Sequence, residues 1–143
     1  MILVDANLLV YAHDEAASEH GLAKAWLENV LSKPGRVGLP WPSVLAFVRL
    51  VSNPVIVRTP VTPRVAWGRA AQWLTLPNVW IPFPGDEHAQ LLGRLLADAR
   101  ITSRMVPDAH LAALALEHGL TLCSSDGDFA RFAGLRWVNP LAA

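Results

Sequence analysis

Apolar residues occur in two patterns along the chain, short continuous runs and longer stretches with a helical period. Residues 2–4 form the first run, three branched apolar side chains of the kind found at the centre of a parallel sheet. Further short runs predict strands over residues 37–39, 79–81, 120–123 and 136–138. The first run ends at an acid, Asp5, and a new apolar segment begins at Leu8.

The periodic stretches predict helices between these strands. Their ends carry recognisable signals, with Ser18 and Thr62 as N-caps and Gly119 as a C-terminal stop. The predicted helices cover residues 18–32, 43–52, 63–74, a segment capped by Asp86 that extends to Ala99, residues 107–118 and one turn over 129–132. The alternation predicts an α/β fold, a three-layer α/β/α sandwich with a mainly parallel sheet.

Length and composition favour one folded domain over residues 1–143. Hydrophobic residues make up 52% of the chain and charged residues 17%, which excludes a disordered protein and leaves apolar surface for self-association or a partner. No apolar run approaches the roughly 18 residues that a membrane span needs, and no basic leader precedes the first run. With a single cysteine, Cys123, a cytoplasmic protein is expected.

The charges are unevenly distributed although the formal net charge is zero. No acid occurs between Glu28 and Asp86, while six basic residues and four of the six tryptophans lie there: Lys33, Arg36, Arg49, Arg58, Arg64, Arg69, Trp41, Trp67, Trp73 and Trp80. A basic, aromatic surface beside an acidic pocket suits a phosphodiester substrate. The alternative is that the tryptophans are core residues and the arginines form a solvated face.

Four aspartates stand where an α/β fold brings distant segments together. Asp5 follows the first strand, and Asp126 and Asp128 follow the strand over residues 120–123. Asp108 lies in the first turn of the helix over residues 107–118. Ligands of open α/β sheets bind at the carboxyl ends of the strands, so these acids are predicted to converge. Each also has a structural explanation, as a helix cap, a helix-start charge or a turn residue.

Carboxylates packed closely repel one another unless a cation neutralises them. Oxygen ligands without a histidine or cysteine cluster favour Mg²⁺ or Mn²⁺ over zinc. The five histidines of the chain are scattered and show no ligand spacing. The predicted chemistry is therefore metal-assisted hydrolysis of a phosphodiester.

Three segments resemble the PIN-domain ribonucleases, in particular the VapC toxins of bacterial toxin–antitoxin pairs. They are residues 2–12, residues 107–115, and residues 121–132 with their continuation over 134–137. The resemblance covers essentially the whole chain. It implies a magnesium- or manganese-dependent endoribonuclease that cuts a specific tRNA or ribosomal RNA loop. It also implies a homodimer, neutralised by a small antitoxin whose tail occupies the active site.

Carried onto this sequence, the family pattern makes Asp5 and Asp108 the principal metal ligands. Asp126 is the next acid, and Asp128 acts directly or through water. Asn7 matches a small polar position that could orient Asp5.

The sequence departs from the family at one position. The family usually carries a glutamate on the helix after the second strand, and here that position falls on Ala46 or Phe47, depending on the register. The candidates for a substitute ligand are Ser43, water or a partner's acid.

Two other functions fit parts of the sequence. A haloacid-dehalogenase-type phosphatase also starts with an acid after its first strand, but it needs a second aspartate where Asn7 stands and a late lysine, and no lysine follows Lys33. A PIN-like module that binds RNA or a partner without turnover is the main alternative, because the helix glutamate is missing.

Overall fold

The centre of the molecule is a five-stranded sheet, which a computed structural model describes over residues 1–142. The strands are β1 Ile2–Val4, β2 Val37–Gly38, β3 Val79–Trp80, β4 Thr121–Cys123 and β5 Trp137–Val138. Their order across the sheet is β3-β2-β1-β4-β5, and every neighbouring pair is parallel. The predicted α/β fold with a parallel sheet is confirmed.

Within residues 1–142, six α-helices cover the two faces of this sheet. They are α1 Ala6–His13, α2 His20–Ser32, α3 Trp41–Val51, α4 Pro63–Leu74, α5 His88–Leu96 and α6 Val106–His118. Short 3₁₀ turns precede α6 and follow β4, over Ser103–Met105 and Gly127–Arg131. None of the helices within residues 1–142 combines the length and the apolar character that a bilayer span requires.

Alternate residues of the central strands feed two separate cores. Leu3 and Leu122 pack with α5 and α6 on one face of the sheet. Val4 and Cys123 pack with α1 to α4 on the other face. Because successive side chains of a strand point to opposite faces, β1 and β4 are apolar on both sides. This explains why their sequences are continuous apolar runs.

Most predicted helix boundaries lie within two residues of those observed. Helix α4 begins at Pro63 as predicted, and the hydroxyl of Thr62 accepts the N–H of Val65. Gly119 ends α6 with φ of +67°, a left-handed conformation that favours glycine. The predicted cap at Ser18 is wrong, because Glu19 occupies the N-cap position and α2 begins at His20.

Helix α1 was not predicted, and the proposed cap at Asp86 also differs from the structure. Within α1, residues 8–10 and 12 are all buried, so the segment is apolar on every side and has no amphipathic period to detect. Helix α5 starts two residues after Asp86, with Glu87 at the cap position and no side-chain cap bond.

The connectivity creates a crevice between β1 and β4. From β1 the chain moves outward through β2 to β3, then returns to place β4 on the other side of β1. Ligands of open α/β sheets bind where the strand order reverses in this way, at the carboxyl ends of the strands. Asp5 and Ser124 follow directly on the two strands that flank this crevice.

Candidate active site

Asp5 is fixed at the end of β1 by its backbone and its side chain. Its N–H donates to the carbonyl oxygen of Cys123 at 3.0 Å, which continues the β1–β4 ladder by one residue. Its Oδ1 accepts the N–H of Ala6 at 2.8 Å and so caps helix α1. The capping explanation for Asp5 therefore holds, and the same geometry presents the carboxylate at the crevice.

Ser124 connects the acids and was not identified from the sequence. Its side chain is completely buried, and its hydroxyl donates to Asp5 Oδ2 at 2.7 Å. The same oxygen accepts Asn7 Nδ2 at 3.1 Å and the N–H of Asp126 at 3.0 Å. The sequence did contain a signal for this role, because Ser124 stands two residues before Asp126 at the end of a predicted strand. Serine hydroxyls in such positions commonly accept the backbone N–H two residues further on.

Asp126 and Asp128 start the 3₁₀ turn after β4. Asp126 Oδ1 accepts the N–H of Asp128 at 2.9 Å, so the predicted capping role of Asp126 is observed. Asp128 Oδ2 lies 3.0 Å from Nη2 of Arg104, whose side chain is largely exposed. The arginine thus neutralises part of the acidic cluster at its rim.

Asp108 reaches the same cluster from the first turn of α6. Burial raises the pKa of Asp108 to about 6, with further contributions from repulsion by Asp5, Asp126 and Asp128, which Arg104 partly offsets. Burial and repulsion by Asp126 also raise the pKa of Asp5 against its two hydrogen bonds. The structure therefore brings all four predicted acids within electrostatic reach of one another.

The cluster is open and is not a preformed cage. Within residues 1–142, no three histidine, cysteine, aspartate or glutamate side chains are already arranged around a point where one ion could sit. Asp128 is engaged by Arg104, and Asp126 caps a turn. A cation shared by the acids would therefore require their side chains to rotate toward it.

Two buried oxygen atoms on helices that start at the carboxyl edge of the sheet have no hydrogen-bond partner among the described residues. They are Asn7 Oδ1 and Ser43 Oγ. Asn7 lies in the first turn of α1, and Ser43 lies in the first turn of α3, which starts three residues after β2 at the same edge of the sheet. Buried polar atoms are normally satisfied, so both oxygens suit a site that holds a hydrated cation.

The structure distinguishes the two positions at which the family's glutamate could fall. Phe47 is completely buried, with its ring against those of His13 and Trp73. Ala46 is only partly buried and lies three residues after Ser43 on α3. An acid at 46 would avoid the apolar core, whereas an acid at 47 would enter it.

The predicted basic and aromatic surface is present in part. Trp73 belongs to the core, whereas Trp41 and Trp67 are 37% and 43% exposed. The arginines nearby are exposed and, within residues 1–142, form no ion pair with a carboxylate: Arg49, Arg58, Arg64 and Arg69.

The raised pKa of Asp108 predicts how stability depends on pH in the absence of metal. Because the folded-state pKa of about 6 lies above the ordinary value of 3.8, its contribution to stability is present at acidic pH and is lost as the pH rises through 6. Solvent screening at this partly exposed site reduces the effect to on the order of 1 kcal/mol. In EDTA, the difference in free energy of unfolding between Asp108→Asn and the parent protein should shift in favour of the variant by that amount as the pH is raised from 5 to 7.5. Urea unfolding measures this, and a constant difference over that range would contradict the proposed environment.

Removing the Ser124 hydroxyl should loosen the cluster. Ser124→Ala leaves Asp5 without its donor and the N–H of Asp126 without its acceptor. Losses of this kind around a metal ligand typically cost about 10- to 100-fold in metal affinity. Titration calorimetry with Mn²⁺ measures the change, and Ser125→Ala is the neighbouring control. Equal affinities of the two variants would show that Ser124 does not position the acids.

Comparison with known proteins places this geometry in a family. The PIN domain profile matches residues 2–135. The chain is 40% identical over 142 residues to Ribonuclease VapC37 of Mycobacterium tuberculosis, covering 99% of both chains. It is 34% identical over 141 residues to Ribonuclease VapC33 of the same organism, again covering 99% of both.

Solved structures share the fold at lower sequence identity. VapBC2 from Rickettsia felis, solved with a promoter DNA fragment, superposes with a TM-score of 0.71 at 16% identity, covering 97% of this chain and 98% of that one. VapC20 of Mycobacterium tuberculosis, described as a sarcin-ricin loop cleaving toxin, gives a TM-score of 0.67 at 22% identity, covering 95% and 99%.

Proposed function

The chain belongs to the PIN-domain family, and from that premise we propose that it is a VapC-type toxin endoribonuclease whose active site is the aspartate cluster. Asp5, Asp108 and Asp126 hold the divalent cation, and Asp128 completes the cluster. The observation that carries the proposal is the convergence of acids from three distant segments; burial, together with repulsion by the other acids, raises the pKa of Asp108 to about 6. Without a cation, the repulsion between these carboxylates opposes folding.

The donor set fits Mg²⁺ or Mn²⁺. It consists of the carboxylate oxygens together with Asn7 Oδ1, which has no hydrogen-bond partner among the described residues, and it contains neither histidine nor cysteine. A divalent cation bound there would polarise the phosphate and lower the pKa of a water that attacks it.

The side chains around the acids prepare the site for a phosphodiester. Ser124 holds the carboxylate of Asp5 in one orientation through a hydrogen bond of 2.7 Å. Asn7 supports Ser124 from α1. Arg104, exposed and paired with Asp128, can exchange that carboxylate for a phosphate oxygen of the substrate. We propose a loop of tRNA or ribosomal RNA as the substrate, since unstacked loops can reach a crevice of this kind.

The proposed partners are a cognate antitoxin and a second copy of the chain. Structural neighbours include VapBC complexes and a toxin–antitoxin complex from Klebsiella pneumoniae. An antitoxin segment that brings an arginine to the acids would oppose their charge directly. We further propose that the protein acts in the cytoplasm, where its RNA substrates are.

A PIN-like module that binds RNA without cutting it is the second candidate. The missing helix glutamate favours it, because Ala46 and Phe47 provide no carboxylate. Binding without turnover would still use the basic, tryptophan-bearing surface. It would not require a divalent cation for any chemical step.

The decisive experiment incubates the purified protein with separate pools of total tRNA and ribosomal RNA, with Mg²⁺, with Mn²⁺ or with EDTA. The proposed enzyme produces discrete cleavage products with either metal, none in EDTA, and the same products when metal is restored. Mapping the new RNA ends then identifies the loop. Binding of RNA without cleavage in any metal would favour the module, and cleavage that persists in EDTA would contradict a metal mechanism.

A further inference from the structure

Trp41 and Trp67 form a stacked pair on the surface, where the first turn of α3 meets the first half of α4. Their ring centroids lie 6.2 Å apart with an interplanar angle of 17°. The two side chains are 37% and 43% exposed, although tryptophan is buried on average. The stack gives each indole a fixed orientation, so the exposed part of the pair is a rigid aromatic surface.

The register of the sheet places this pair next to the acids. Leu3 of β1 pairs with Gly38 of β2 in parallel register. Two residues further along from each, Asp5 is therefore level with Pro40, and Trp41 follows Pro40. From the strand spacing and one step of the chain, the Cα atoms of Asp5 and Trp41 are on the order of 10 Å apart. Trp41 therefore begins α3 at the same edge of the sheet as Asp5, and Trp67 stacks on it.

The charge around the pair favours a polyanion. Residues 29–85 contain no acid, and Arg64 lies one helical turn before Trp67. Arg49 and Arg58 are also exposed in this segment, without a carboxylate partner within residues 1–142. A second copy placed symmetrically on this surface would bring like charges together. Nucleic acid matches both the aromatic rings and the positive charge.

We propose that Trp41 and Trp67 form a stacking subsite for an unpaired RNA base close to the cleaved phosphodiester. The proposal rests on the ribonuclease function proposed above and adds a determinant of substrate binding. An exposed indole face accepts any base, so the subsite selects for an unstacked nucleotide and not for one base identity. Arg64, one helical turn before Trp67, is placed to hold a flanking phosphate.

The test measures binding of a labelled, mixed-sequence, single-stranded RNA 12-mer by fluorescence anisotropy in Mg²⁺. All proteins carry Asp5→Asn so that the RNA stays intact. Trp41→Ala and Trp67→Ala should each raise Kd by about 5- to 100-fold, the range typical for loss of one stacked base. Trp41→Phe and Trp67→Phe should retain most of the affinity, because they keep an aromatic face. Val55→Ala, at an 88% exposed apolar position in the same basic segment, is the control and should leave Kd unchanged.

The outcomes separate the subsite from the function on which it rests. If the parent cleaves RNA but the folded tryptophan variants bind the 12-mer as tightly as Val55→Ala, the subsite is wrong and the ribonuclease stands. If those variants instead lose a dimer in sedimentation while Kd is unchanged, the surface joins two copies and the proposal is also overturned. If the parent with intact Asp5 neither binds nor cleaves RNA, both proposals fail. Circular dichroism of each variant establishes that it is folded.

Discussion

Replacement of Asp5 by asparagine should reduce metal-dependent RNA cleavage on the order of a thousandfold while leaving the protein folded. Asparagine retains an oxygen that can accept the N–H of Ala6, and the backbone N–H at position 5 still donates to the carbonyl oxygen of Cys123, so the cap of α1 and the β1–β4 connection are preserved. The amide nitrogen that replaces Oδ2 can no longer accept the hydroxyl of Ser124. What is lost is the negative charge at the crevice. Asp108→Asn should have a similar effect, because its carboxylate belongs to the same cluster.

The matched control is Asp86→Asn, which makes the same chemical change at an exposed position before α5. Initial rates of RNA cleavage in Mg²⁺, together with thermal unfolding, measure the effect for all three variants. The account predicts that the two site variants lose activity at unchanged or increased stability and that the control keeps full activity. A site variant that keeps most of its activity would remove that aspartate from the catalytic cluster.

Phe47→Glu should unfold the protein, whereas Ala46→Glu should not. Phe47 is completely buried against Trp73 and His13, so the change removes an aromatic core side chain and buries an unpaired carboxylate. Together these cost more than about 4 kcal/mol, a large part of the stability of a typical domain. Ala46 is partly exposed and lies one turn after Ser43, whose hydroxyl has no partner.

Ala46→Glu should therefore supply the family's missing acid and tighten Mn²⁺ binding by about tenfold, a typical effect of one added ligand interaction. Leu45→Glu is the control, since it adds the same charge to the same helix at a 59% exposed position. It should change neither folding nor metal affinity. Thermal unfolding and Mn²⁺ calorimetry report on all three variants. Normal folding of Phe47→Glu, or weaker metal binding by Ala46→Glu, would show that position 46 is not the equivalent of the glutamate.

The centre of the sheet was predictable because β1 and β4 are apolar on both faces. Continuous apolar runs at residues 2–4 and 120–123 leave little choice but central parallel strands. The acids that follow these runs then have to meet at one edge of the sheet. The same burial hid α1, since a helix that is apolar on all sides shows no period by which it could be distinguished from a strand or a loop.

The contacts inside the site were not predictable to the same degree. The roles of Ser124 and Arg104 depend on distances between residues far apart in sequence, Asp5 in one case and Asp128 in the other. Local pattern carries no information about such distances. For the same reason, the sequence did not decide whether the family's glutamate corresponds to Ala46 or to Phe47. The complete burial of Phe47 distinguishes these two positions.

Anomalous diffraction from crystals of the protein grown with Mn²⁺ tests the central proposal most directly. The account predicts one strong peak at about 2.1 Å from carboxylate oxygens of both Asp5 and Asp108, with Asp126 in contact directly or through water. The peak should be absent from crystals of Asp108→Asn. A fully occupied Mn²⁺ site elsewhere on the protein, with no density between these carboxylates, would contradict it.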